Sequence, residues 1–279
     1  MSIEIDFSYQ IDGFYDSVNY YRSETPMNPE SMPVATATGI TGLTYTDTTA
    51  TRGKFYYVRF GSVRSGVEKI SEEKQVFARN LSAYTAFFLN KLTANDWKGG
   101  AALTPTGNAA ITAGGAYFDG AGDYYSRPDS TSTTFGTGDL TIEFIFKCER
   151  IGTHTYEQAL VDNFIISSGG WQIGLRTDGR VYVYMNTPNG YVMNSTASFS
   201  DGNEHHVAWT RNGSTNRLFV DGVQVATYTD SRNFTAKTYF GIGAQINSRQ
   251  SNYDFKGWIR KVGVSKQALY TSNFTPDMN

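Results

Sequence analysis

Few side chains in this 279-residue chain are arranged for covalent or acid–base chemistry: it has three histidines, one cysteine and 26 acidic residues. His205 and His206 are consecutive in β-patterned sequence, so their side chains point to opposite faces and cannot jointly hold a metal or act as a dyad. One packed and one solvated histidine is the expected outcome, and His154, isolated in a loop, carries no signal. Cys148 has no partner for an internal disulfide, and no cysteine–histidine cluster has zinc-site spacing. Retaining glycoside hydrolysis needs two carboxylates about 5 Å apart. The strand around Leu140 to Lys147 offers one acid, Glu143, facing away from the core without a partner in its strand. Serine, histidine and aspartate never fall in a nucleophile-elbow context. No catalytic residue is therefore assigned, and no enzyme is expected. Asp119, Asp123, Asp162 and Asp178 are the candidates for calcium, which takes loop carboxylates and carbonyls. They lack compact Asp-x-Asp spacing, and Asp119-Gly120, Asp178-Gly179 and Asp201-Gly202 read better as turns. No cofactor or metal is expected.

Binding chemistry is more visible. Around Thr177-Asp178-Gly179-Arg180 the sequence has a hairpin with two possible registers. A two-residue Asp-Gly turn places Tyr182 and Tyr184 beside Leu175 and Ile173, in the core. A bulged turn with one extra residue groups Val181, Val183 and Met185 with Trp171, Ile173 and Leu175. The bulge is favoured, because it collects the purely apolar side chains on one face. Tyr182 and Tyr184 then stand outward beside Gln172 and Arg176, a flat strip able to stack on a sugar or meet a neighbouring subunit. An ordinary exposed sheet face, with tyrosines of high strand propensity, has the same composition.

The elements that would position these residues are strands. Tyrosine, phenylalanine and glycine are abundant, and long helical-period runs are absent. The net charge of −2, with bases scattered among acids, argues against a nucleic-acid surface. No apolar run approaches the ~18 residues of a membrane span. Met1-Ser2-Ile3-Glu4-Ile5-Asp6 carries acids where a signal peptide has bases, so synthesis in a cytoplasm is expected, with exit by lysis or assembly.

Ile3 to Tyr9, Val18 to Arg22 and Phe55 to Val63 are predicted strands of a first domain over residues 1–78, with a loop marked by Pro26, Pro29 and Pro33. Alternation in the third run buries Tyr56, Val58 and Phe60 and turns Phe55 and Tyr57 outward as candidate contacts. Gly53 to Val63 resembles the penultimate strand of fibronectin type III domains, and Val67 to Val76 would be the last strand. The early buried tryptophan usual in that family is missing.

After a linker at 79–82, a second domain over 83–279 opens with Ala86-Phe87-Phe88-Leu89. Leu140, Ile142, Phe144 and Phe146 share a buried face, and Asp221-Gly222 forms a type I′ turn pairing Val220 with Val223 and Leu218 with Val225. The ordered set Phe118-Asp119-Gly120, Leu140 to Phe146, His205-His206-Val207-Ala208, Phe219-Val220-Asp221-Gly222, Gly257-Trp258-Ile259 and Tyr270-Thr271-Ser272-Asn273-Phe274-Thr275-Pro276 resembles the laminin-G-like, concanavalin A-like jelly rolls of phage structural proteins. Two departures stand out. Glu204 replaces a tryptophan, whose bulk Trp209 can supply, and Arg260-Lys261 replaces a commonly acidic pair. The predicted fold is all-β: a small immunoglobulin/fibronectin-like sandwich, then a larger concanavalin A-like jelly-roll sandwich. The resemblance implies a non-enzymatic virion protein of a tailed bacteriophage, on tail, baseplate, fibre or capsid. Its implied partners are other virion proteins and copies of itself. The alternative is an adhesin for host surface glycan.

Overall fold

The computed structural model describes residues 3–8, 14–50, 55–77, 85–89, 103–112, 114–129, 133–166, 168–186, 190–276 and 278. The chain divides into two compact units, Met1–Ser82 and Ala83–Asn279. Both are built of strands, and no described helix is long and apolar enough to cross a membrane.

The first unit contains β1 (Ile3–Ser8), β2 (Ser17–Ser23), β3 (Ala37–Ile40), β4 (Thr44–Ala50), β5 (Phe55–Arg64), β6 (Val67–Ile70) and β7 (Lys74–Phe77). β2 and β5 form its antiparallel centre, with Tyr20 opposite Phe60. β3 adds to the other edge of β2, and β1 pairs with β4 in a separate ribbon. Tyr56 and Val58 are buried against Tyr20 and Ala50, with Phe60 partly buried beside them. The segment expected to form one last strand is broken into β6 and β7, which run end to end along β5. Ser71 causes the break: its Oγ accepts the Phe60 N–H at 2.9 Å and its carbonyl accepts Arg59 Nη1 at 2.8 Å. The threonine-rich β4 carries the fully buried Asp47, which receives Tyr20 Oη at 3.1 Å and Arg22 Nη1 at 2.5 Å. Burial alone would raise the Asp47 carboxyl, but the Thr49 donors and Arg22 outweigh it and hold it below its ordinary range. Of the two candidate contacts here, Tyr57 is half-buried, and the Phe55 side chain lies outside the described residues.

The second unit begins with β8 (Thr85–Leu89), β9 (Thr104–Thr106), β10 (Ala110–Thr112), β11 (Gly115–Asp119) and β12 (Tyr124–Pro128). It continues with β13 (Leu140–Cys148), β14 (Gln158–Asp162), β15 (Trp171–Leu175), β16 (Arg180–Met185) and β17 (Gly190–Ser198). The last strands are β18 (Glu204–Asn212), β19 (Thr215–Val220), β20 (Val223–Thr229), β21 (Tyr239–Ile242) and β22 (Lys256–Ser265). One sheet runs β10-β11-β22-β13-β18-β19-β20, with β8 also on β22, and the other runs β17-β16-β15-β14-β21-β12-β9. Both are antiparallel, and their inner faces form one apolar core containing Phe144, Trp171, Val183, Trp209 and Phe240. The two tryptophans come from different sheets and meet edge to face at 5.5 Å, with Trp209 Nε1 bonded to Asn216 at 3.1 Å.

Leu140, Ile142, Phe144 and Phe146 are all fully buried, as their alternation predicts. Asp221 and Gly222 both adopt positive φ, 51° and 77°, and Val220 faces Val223. Leu218 faces Ala226 instead of Val225, because a bulge falls between Leu218 and Phe219.

The outer face of the β13–β18 sheet is not solvated. The C-terminal arm lies across it: Thr210 Oγ1 donates to the Tyr270 carbonyl at 2.8 Å, Phe274 N–H to the Gly222 carbonyl at 2.9 Å, and the Tyr270 and Phe274 rings stack 3.6 Å apart. His206 is consequently buried, and His205, on the opposite face, is packed against Phe146 and Phe199, contrary to the expectation of one solvated histidine. His206 Nε2 lies 3.1 Å from Glu143, which also accepts the Tyr270 hydroxyl at 2.8 Å, so the partners of Glu143 come from other segments and none from its own strand. His205 sits between Asp221 at 2.7 Å and Asp201 at 3.0 Å; burial opposes its charged form, but the two carboxylates prevail and raise its pKa. The two unusual positions, Glu204 and Arg260, bond each other through paired contacts of 3.0 and 2.6 Å, so each departure supplies the other's counter-charge.

Residues 83–279 expressed alone are expected to give a soluble, cooperatively unfolding domain by circular dichroism and calorimetry. Solubility only with residues 1–82 attached would contradict that expectation.

Candidate functional site

The β15–β16 hairpin turns through Thr177, Asp178 and Gly179. The Arg176 N–H bonds the Arg180 carbonyl at 2.8 Å, the Gly179 N–H bonds the Arg176 carbonyl at 2.9 Å, and Gly179 has φ +79°. This is a three-residue loop closed by a left-handed glycine, the G1-bulge arrangement. Trp171 faces Met185, Ile173 faces Val183 and Leu175 faces Val181, the bulged register favoured from the sequence. Gln172, Tyr182 and Tyr184 accordingly lie on the other face.

That face is itself covered, which corrects the picture of a flat exposed strip. Tyr182 is 1% exposed and Gln172 6%. The Tyr182 ring lies over its cross-strand partner Gly174, where a Cβ would come within 2.7 Å of the phenol oxygen, and its hydroxyl donates to Gln172 Oε1 at 2.5 Å. Tyr191 of the edge strand β17 closes over it edge to face at 5.1 Å and meets Tyr184 at 5.2 Å. Arg176 does not project outward either: it stacks 3.8 Å above the Tyr191 ring and its Nε reaches Glu157 at 3.2 Å. Tyr182 therefore cannot touch a ligand, and Arg176 supports Tyr191.

The covering leaves a concavity of about 210 Å³. Gln172 and Tyr184 form its floor; Glu157, Phe164, Tyr191, Gln245 and Tyr253 are prominent in its walls. The Tyr191 hydroxyl bonds both Glu157 oxygens at 2.6 Å. Burial raises the Glu157 pKa, an effect that Tyr191 and Arg176 only partly offset. Beneath the floor, Asp162 ties three segments together: Oδ1 accepts Gln172 Nε2 at 3.1 Å and the Phe164 N–H at 3.3 Å, and Oδ2 accepts the Ile246 N–H at 3.1 Å. Burial pushes this carboxyl up to about 7 in spite of those donors.

The structure thus brings Gln172 and Tyr184 together as the sequence reading expected. That reading missed Glu157, Phe164, Tyr191, Gln245 and Tyr253. Tyr191 had a local signal, an aromatic directly after Gly190 in β-patterned sequence; Tyr253 sits in a loop with none.

The remaining candidates behave as structural residues. Asp119 and Asp123 receive backbone and amide donors from 108, 119 and 121, and Asp178 pairs with Arg180. Among the described residues no cluster of three histidine, cysteine or acidic side chains is placed to hold a metal. A larger cavity, about 460 Å³, lies between Gly120, Arg150, His154 and Tyr156. Its arginine is committed to the carbonyls of Asp254 and Gly120, and no group of rings converges there.

Tyr182→Ser is expected to destabilise the protein by ~3 kcal/mol or more, as for other large-to-small core changes. Tyr184→Ser, at the half-exposed floor, should cost clearly less. Denaturant melts of the two variants check this, and equal small losses would contradict the burial of Tyr182.

Residues 119–273, more than half the chain, match the profile described as the concanavalin A-like lectin/glucanases superfamily. No curated protein matches the sequence significantly. Among solved structures, the binding domain of Paraclostridial Mosquitocidal Protein 1 is similar with a TM-score of 0.56 at 17% identity, over 67% of this chain and 50% of that one. The binding domain of botulinum neurotoxin serotype D/C gives 0.55 at 13% identity, over 67% and 50%. The botulinum neurotoxin DC binding domain in complex with SialylT gives 0.53 at 13% identity, over 67% and 49%. The chain spans about half the length of these structures, and at such identities the likeness is one of fold. Sheet order, core and profile agree: the chain belongs to the concanavalin A-like lectin/glucanases superfamily.

Proposed function

We propose that this protein is a non-enzymatic glycan-binding module, and that the pocket over Gln172 and Tyr184 is its binding site. One observation carries the reading: three tyrosines, at 184, 191 and 253, converge with three glutamines, at 172, 245 and 250, on a concavity in the outer face of a lectin-type sheet. Aromatic faces take the C–H surfaces of a sugar ring, and fixed amides select its hydroxyls. Binding without turnover fits the acids present. Asp162 is buried beneath the floor and Glu157 is held by Tyr191 and Arg176, so neither stands ready as a nucleophile or proton donor. The botulinum neurotoxin DC binding domain solved in complex with SialylT, and botulinum neurotoxin type C, whose cell entry is dependent upon interaction with two ganglioside molecules, support the reading by fold.

A second proposal concerns where the module works. The closing segment Tyr270 to Pro276 resembles that of phage laminin-G-like proteins, and here it clamps the outer face of one sheet. On that resemblance the chain is a virion component of a tailed bacteriophage, made in the host cytoplasm. Its first unit, fibronectin type III-like, would dock to other virion proteins or to further copies of the chain. Phe55 and Tyr57 are the candidate contacts.

Retention of the whole chain on a panel of immobilised cell-surface glycans tests the binding function. Tyr184→Ser and Tyr253→Ser, checked for folding, should each weaken retention by about tenfold or more, equivalent to ~1.4 kcal/mol. Retention by no glycan, or retention unchanged in both variants, would remove the function or the site.

A further inference from the structure

The two paths of paired strands in the second unit end at β9, β10, β17 and β20, and a terminal strand presents unpaired N–H and C=O groups that can template another strand. Three of the four are blunted. β9 and β10 are three residues long, and β9 carries Pro105. β17 is bulged twice against β16, and its Tyr191 and Ala197 carbonyls accept the Asn194 and Ser195 side chains. β20, Val223-Gln224-Val225-Ala226-Thr227-Tyr228-Thr229, holds no charge, no proline and no glycine. Its one bulge lies next to the Asp221-Gly222 turn, where Asn273 Oδ1 takes the Gln224 N–H at 2.9 Å. From Val225 onward the edge carries no guard.

The ladder fixes which backbone groups of β20 face out. β18 and β19 join through a two-residue turn, so Asn212–Thr215 is a hydrogen-bonded pair, and Thr215, Arg217 and Phe219 direct their backbone groups to β18. Asn216 and Leu218 then bond Tyr228 and Ala226 of β20. The Asp230 N–H, of the same parity, bonds inward to the Ser214 carbonyl at 2.7 Å, as this alternation requires. The N–H and C=O groups of Thr227 and Thr229 therefore point away from the sheet, and both residues are exposed.

From this open edge and its parity we infer that β20 docks against β20 of a second copy of the chain, antiparallel about a two-fold axis at Thr227, so that one sheet continues into the other. The strand is self-complementary in that register. Thr227 meets the partner's Thr227 and Val225 meets the partner's Thr229 in hydrogen-bonded pairs, while Ala226 lies opposite the partner's Tyr228. Every facing pair is uncharged, so no like charges are brought together, and threonine and β-branched pairs are favourable across antiparallel strands. A slip by one residue would set outward groups against groups already bonded within the partner's sheet. The interface built by one short strand is smaller than the ~1,200–2,000 Å² of stable complexes, so the dimer forms at high concentration and dissociates on dilution.

Thr227→Cys in the whole chain tests partner and register together. A hydrogen-bonded pair holds its Cα atoms about 5.5 Å apart, within the span of a disulfide, and the native Cys148 is buried. Mild oxidation at high concentration is expected to give a covalent dimer on a non-reducing gel. Thr229→Cys, which meets the partner's Val225 instead of itself, should cross-link about tenfold less. Sedimentation of the unaltered chain over rising concentration should show the dimer directly. Thr227→Pro removes an outward N–H and leaves the β19 ladder intact, so it should weaken the dimer by about tenfold or more while melting like the parent chain. Three results would each overturn the inference: a chain that stays monomeric at its highest soluble concentration, equal cross-linking at both positions, or a dimer unchanged in folded Thr227→Pro.

Discussion

The three-residue turn at Thr177, Asp178 and Gly179 sets the parity of the β15–β16 hairpin, and parity assigns every side chain of both strands to a face. With one residue fewer in the turn, Tyr182 and Tyr184 would enter the core and Val181, Val183 and Met185 would leave it. Each of those three apolar side chains is worth ~1.5–3 kcal/mol when buried. Their joint loss would rival the ~5–15 kcal/mol that holds a typical domain together. The core therefore decides the register, and the register places the tyrosines where a second layer can form over the sheet.

That second layer is what makes a pocket out of a sheet face. Asp162 is its anchor, binding the floor at Gln172, one wall at Phe164 and the backbone of Ile246, next to the lining residue Gln245. Its position is costly. Burial keeps it protonated up to about pH 7, whereas in the unfolded chain it ionises near its ordinary carboxylate value. Between those two points the folded state holds the extra proton, so this residue's contribution to stability falls as pH rises from about 4 to about 7. A buried acid at odds with stability, placed directly under a concave site, is the pattern by which functional sites are recognised.

Local chemistry was legible wherever a few neighbouring residues determine the outcome. The Asp178-Gly179 and Asp221-Gly222 turns, the alternation of Leu140 to Phe146 and the inward face of Trp171, Ile173 and Leu175 follow from pleat and turn rules alone. Coverings built from distant segments were not legible. Tyr182 is buried by Tyr191 and sits over Gly174, and Glu143 and His206 are buried by an arm more than 60 residues later in the chain. A strand's period of two marks which way a side chain points, not whether another segment arrives on top of it. The Ser71 break between β6 and β7 and the threonine-rich β4 escaped for a related reason, since side-chain bonds to backbone override the alternation there, and the bulge that moves Leu218 opposite Ala226 has no signal in the alternation.

The role proposed for this covered sheet face is to hold a sugar. A crystal structure of the whole chain soaked with a short oligosaccharide drawn from those retained on the glycan panel tests it most directly. The expected density is one sugar ring against Tyr184 and Tyr253. Sugar bound instead beside Arg150 and His154, with the Gln172–Tyr184 pocket empty, would contradict it.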